Sequence, residues 1–157
     1  MYARCIPAGP EGSKGTTTIY SVGADKDEKL DSYNWYSPNG VILSWSPIAG
    51  QVAVMSLGEG IASKEDQIQF SFYLGGKHLR SYTTKELNEL GVQFEFTRPG
   101  PRMDYAVLGD RQMPVGTNDY AFVVEVNRSL NRETGKRNLL FFDIRTGDLK
   151  SQQTVTR

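Results

Sequence analysis

The chain predicts a mainly β fold, an antiparallel sandwich or barrel of about eight strands with one short helix near residues 84–90. Three observations predict it. Short β-branched and aromatic runs recur along the 157 residues. Sixteen glycines and seven prolines punctuate those runs, which favours many short elements over a few long helices. The run Ile68–Leu74 alternates apolar and polar residues with a period of two, the signature of a half-buried strand.

The elements follow in order. Residues 1–15 are expected to form a flexible leader, because Ala8–Gly15 reads AGPEGSKG. Thr16–Val22 is the first expected strand, and Asp25–Asp31 a charged loop. Tyr33–Tyr36 is a possible strand closed by the turn Ser37-Pro38-Asn39-Gly40. Val41–Ser46 places Val41, Leu43 and Trp45 on one face. Gln51–Leu57 is apolar on both faces and predicts a central or fully covered strand. Pro47–Gly50 is the turn between them.

Ile68–Leu74 and the strand from Lys77 form the clearest hairpin. Gly75-Gly76 is a two-residue turn that sets Leu74 opposite Lys77, Tyr73 opposite His78 and Phe72 opposite Leu79. In that register Tyr73, His78 and Arg80 share the face away from Phe72 and Leu79. Thr83-Thr84-Lys85-Glu86 is a capping box with Thr83 as N-cap, and Gly91 ends the helix.

Val92–Phe96 is another half-buried strand, broken by Arg98–Pro101. Asp104–Leu108 is a short strand, Gly109–Asn118 a loop. Tyr120–Val126 and Leu139–Ile144 form the last long pair, joined by a charged connection over 127–138. Residues 16–150 are read as one β domain, with 151–157 a C-terminal tail. The stretches SPNG to GQVAVMSL and NLLFFDIRTGDL each resemble part of a β-propeller blade. No fixed period repeats, so a propeller is not the predicted fold.

Charge narrows the partners. Eighteen basic residues balance eighteen acidic ones. A net charge of zero supplies no overall attraction to phosphate backbones, so no nucleic-acid partner is expected. The densest basic cluster, Arg128, Arg132, Lys136 and Arg137, reads as a solvated loop. No apolar run is long enough for a membrane-spanning helix. Met1 is followed at once by a polar, glycine-rich stretch, as in a chain exported after removal of a signal segment. Export to a periplasm or the cell exterior is the expected compartment.

Chemistry-bearing residues are scarce. One histidine, His78, and one cysteine, Cys5, leave no ligand set for structural zinc and no internal disulfide. Asp25, Asp27, Glu28 and Asp31 lack the spacing of a calcium loop. No metal or cofactor is expected. Glu125 and Asp143 interrupt strongly apolar strands, where a carboxylate must find a partner or face water; a solvent-exposed sheet face or edge is the expectation. Asn127-Arg128-Ser129 matches a glycosylation sequon.

The aromatics carry the functional expectation. Tyr33, Trp35, Tyr36 and Trp45 straddle one turn, and one set can serve as core while another forms an exposed platform. The candidate ligand-binding residues are Trp35, Tyr36, Trp45, Tyr73, His78 and Arg80. The first expectation is a non-catalytic binding or interaction module for a protein or carbohydrate ligand. The alternatives are a small hydrolase-like enzyme using His78 or converging carboxylates, and a structural subunit that associates with itself.

Overall fold

The computed structural model describes residues 1–9, 14–46, 49–58, 64–96, 101–112 and 120–156. The fold is mainly β and sandwich-like, and its sheets do not close into a barrel. Three antiparallel meanders follow one another along the chain. The first holds β1 (Tyr2–Ile6), β2 (Thr16–Ser21) and β3 (Glu28–Tyr33). The second holds β4 (Val41–Ser46), β5 (Gln51–Leu57), β6 (Ile68–Leu74) and β7 (Lys77–Thr83).

Helix α1 (Thr84–Glu89) and the small ribbon of β8 (Phe94–Phe96) and β9 (Pro101–Met103) come next. The third meander holds β10 (Tyr105–Gln112), β11 (Tyr120–Val126), β12 (Lys136–Asp143) and β13 (Leu149–Thr156), with helix α2 (Arg128–Thr134) between β11 and β12. The two blade-like stretches fall in the second and third meanders. The opening strand β4 lies against both β1 and β10, so the three meanders align along one flank.

The second meander is the middle layer. Its β5 alternates between two cores. Ala53 and Met55 join Phe70, Phe72 and Tyr82 against Phe122, Val124, Leu140 and Phe142 of the third meander. Val52 and Val54 face the other way and join Ile19 and Tyr33 of the first meander. The two-faced apolar pattern of Gln51–Leu57 is explained by this central position.

Local chemistry sets the connections. Gly75 and Gly76 both take positive φ, 52° and 80°, the backbone a two-residue hairpin turn needs. The capping box forms as its sequence requires. Glu86 N donates to Thr83 Oγ1, and Thr83 N donates to Glu86 Oε2 at 2.8 Å.

Several expectations differ from the structure. Residues Tyr2–Ile6, expected in a flexible leader, form edge strand β1, paired in register with Thr16–Tyr20. Part of the expected loop Asp25–Asp31 is strand β3, and of the expected strand Tyr33–Tyr36 only Tyr33 is strand. Most of the expected tail is strand β13, paired with β12 through Thr156. The charged connection over 127–138 contains α2. Asn127 at its start adopts φ 55°, and Gly135 at its end φ 68°. Residues 10–13, 47–48, 97–100 and 113–119, which carry parts of the expected leader and turns, lie outside the described residues.

Glu125 and Asp143 are not on an exposed face. Both are buried, at 6% and 4% exposure, and both are paired, as buried carboxylates must be. Arg137 donates to both oxygens of Glu125 at 3.2 and 3.0 Å. Arg145 and Lys150 hold Asp143 at 3.0 and 3.1 Å. Burial alone would raise the Asp143 carboxyl, but Arg145 and Lys150 outweigh it and hold the group at about 2.

Candidate functional site

The seam between the first and second meanders carries the aromatic residues. Tyr33 closes β3 and is buried. The chain then leaves the sheet, so Trp35 folds back and Tyr36 points outward. Trp35 lies 4.8 Å from the Tyr33 ring and 4.9 Å from the Tyr73 ring. Tyr33 and Tyr73 meet edge to face at 5.2 Å. These separations are those of favourable ring pairs. Thr17 Oγ1 donates to the Trp35 carbonyl at 2.9 Å and anchors the segment.

Gly15 makes the position of Tyr36 possible. A Cβ on Gly15 would lie 2.5 Å from the Tyr36 Cβ and 3.0 Å from the Ile6 carbonyl. Ser37 holds the following turn. Its hydroxyl lies against the carbonyls of Gly40 and Leu57 and accepts from Leu57 N at 3.1 Å.

Together these segments open a cleft of about 560 Å³. Trp35, Tyr36 and Pro38 form one side, and Tyr73, Leu57 and Ile68 the other. Ser56 and Gln67 add polar groups, and no charged side chain lines the cleft among the described residues. Tyr36 and Ile68 are 41% and 51% exposed. The Trp35 Nε1–H is buried and meets no acceptor among the described residues.

A hydroxyl row extends from this cleft across the same face of the second meander. Ser71 and Ser81 are opposite one another, with their oxygens 2.7 Å apart. His78 Nε2 lies 2.9 Å from Ser81 Oγ, and its ring meets Tyr73 edge-on at 5.2 Å. Burial pushes the Tyr73 phenol up, while the adjacent Ser71 and Ser56 hydroxyls restrain part of that rise.

The structure thus brings Trp35, Tyr36 and Tyr73 together, with His78 against Tyr73. It separates the other two candidates. Tyr73 faces His78 as the turn predicts, but β7 carries an extra residue next, so Arg80 rather than Leu79 opposes Phe72. That bulge turns Arg80 away from Tyr73. Arg80 instead covers the Tyr82 ring at 4.7 Å and reaches Asp148 at 2.7 Å. Trp45 lies elsewhere on the seam, beside Asp31 and Val52, and is 47% exposed.

Sequence reasoning missed Ser56, Gln67 and Ile68. Ile68 reads as a core residue in step with Phe70 and Phe72. A second bulge, between Ile68 and Phe70, turns it out of the core, and nothing in the alternation signals it. Asn127, the sequon residue, is buried. Its amide donates to the Gly91 carbonyl at 2.9 Å and its oxygen accepts from Gln93 N at 2.7 Å, so both ends of the side chain are engaged.

No helix among the described residues is long and apolar enough to cross a membrane. No protein-family model matches the chain, and neither a curated protein nor a solved structure is detectably similar to it.

Proposed function

We propose that this chain is a non-catalytic binding module whose cleft takes a neutral ligand with a flat apolar face, a sugar ring in the first instance. One observation carries the reading: aromatic rings from the β3–β4 connector and from β6 line an open cleft that has no charged side chain among its described residues. Its volume falls within the usual range for ligand sites. Aromatic faces stack on the apolar faces of sugars, while hydroxyl and amide groups such as Ser56 and Gln67 orient the ligand's hydroxyls.

Calorimetric titration with neutral oligosaccharides, and in parallel with an uncharged proline-rich peptide, tests the reading. Saturable sugar binding that Tyr36→Ala abolishes, at unchanged melting temperature, supports it. Binding of the peptide alone would move the ligand class to proteins. Absence of binding by either would overturn the reading.

A second reading rests on the 2.9 Å contact between His78 Nε2 and Ser81 Oγ. Ser81 would act as a nucleophile that gives its proton to His78. Two observations weigh against it. Neither residue lines the cleft, and no carboxylate is hydrogen-bonded to His78 among the described residues. Labelling by a fluorophosphonate probe that His78→Ala and Ser81→Ala both abolish would establish it.

A further inference from the structure

A second cavity, of about 260 Å³, opens on the same seam, away from the aromatic cleft. Trp45, Asp31, Leu30 and Val52 line it, and Gly50 and Gly75 lie at it too. On β5, Val52 and Ser56 mark the two openings; four strand steps separate them by about 13 Å.

Asp31 has an unusual position. It pairs directly with Ile19 across the first meander, so it shares the face that Ile19 buries. Strand β3 therefore turns a carboxylate inward, toward the second meander. A residue type almost never buried without a partner has no hydrogen bond and no ion pair among the described residues. Partial burial raises its carboxyl, with no compensating contact. By contrast, Glu125 and Asp143 each hold cations of this chain.

The other wall is the Trp45 indole, which makes no ring contact among the described residues and is 47% exposed. Leu30 and Val52 add apolar surface. Gln51 also lines the opening and packs against Gly75, where a side chain would meet the Gln51 amide at 2.6 Å.

We propose that this cavity is a binding site for an organic cation, the guanidinium or ammonium head of a basic side chain or of a free amine. Asp31 supplies the counter-charge and the Trp45 face a cation–π contact. Leu30 and Val52 receive the methylene stem, which amphipathic cations bury readily. The cavity's size suits a head group and a short stem, and the site is separate from the neutral cleft.

The chain's two tryptophans allow a direct test. The indole N–H resonance of Trp45, assigned by its loss in Trp45→Leu, is followed by NMR during titration with N-acetyl-arginine amide. The neutral urea isostere, N-acetyl-citrulline amide, is the control. The expected result is a saturable shift with the arginine compound alone, weakened at least about tenfold by Asp31→Asn and by added salt. Asp31→Asn should leave the melting temperature unchanged or raise it, since it removes an unpaired, partly buried charge; this separates loss of binding from loss of fold. Equal binding of the citrulline compound, retained affinity in Asp31→Asn, or no saturable shift with the arginine compound would overturn the proposal. Agmatine and a short arginine-containing peptide identify the source. Tighter binding of the peptide assigns the site to a protein chain, and equal binding assigns it to a free amine.

Discussion

The two faces of the middle meander are built differently. Toward the third meander it presents Phe70, Phe72 and Tyr82, which meet Phe142 at 5.4, 5.3 and 4.9 Å. That core is wide and apolar, and Leu87 of α1 packs into it. Toward the first meander the same strands present Val54, then Tyr73, Ser71 and Ser56, and the buried apolar residues among those described are Ile19, Tyr33, Val52 and Val54. One face is a fastening. The other is a seam with two openings, hydroxyl groups and one unpaired carboxylate. With the proposed binding function, stability and recognition would occupy opposite sides of a single sheet, so changes on the two sides should separate in their effects.

The largest effect is expected on the fastening face. Phe72→Ala should cost about 3–5 kcal/mol, because a fully buried ring leaves a cavity. Urea unfolding should show a large fall in midpoint, and a loss under about 1 kcal/mol would break the comparison. Acid comes next. The Asp143 carboxyl, held at about 2 against an ordinary 3.8, contributes stability that is fully present above pH 3.8 and lost as the pH falls toward 2. That contribution is on the order of 1–2 kcal/mol. Asp143→Asn should flatten the stability profile over this window without changing ligand binding.

Smaller effects sharpen the contrast. Thr83→Ala removes the cap of α1 and should cost about 1 kcal/mol in chemical denaturation. Gly15→Ala forces a Cβ against Tyr36. It should weaken ligand binding in the cleft more than it lowers the melting temperature. Tyr36→Ala, at an exposed position, should change stability by less than about 0.5 kcal/mol while removing binding. If it instead destabilises the protein strongly, the seam is a second core and the division of labour fails.

The layers were legible where alternation and turn chemistry agreed. Gln51–Leu57 announced its central place, Gly75-Gly76 set the first pairs of its hairpin, and Thr83 to Glu86 announced α1. Legibility ended at bulges. One extra residue in β7 moved Arg80 to the opposite face, and one in β6 moved Ile68 into the cleft. No local pattern marks such insertions, because they are set by pairing with the neighbouring strand. Strands β1 and β13 were obscured for another reason. Strand β13 is largely polar, and neither β13 nor β1 buries a residue fully along its sheet edge, so pairing rather than burial makes them strands. Of the six candidate residues, Trp35, Tyr36 and Tyr73 line one cleft, while the polar companions Ser56 and Gln67 come from β5 and from just before β6.

The modest enclosure of the seam has a consequence for motion. Strands β1, β2 and β3 form a sheet held to the second meander by a small apolar contact, and such units open before the whole chain unfolds. Amide protons of β2 should therefore exchange through a sub-global opening, faster than those of β11, whose side chains are buried from Ala121 to Val126. A molecule seated in the cleft would touch the second meander and the connector over residues 35–38, which Thr17 of β2 holds through the Trp35 carbonyl, and would act as a clasp. Its occupancy would be readable as slowed exchange in β2, far from the atoms it contacts, with β11 left untouched.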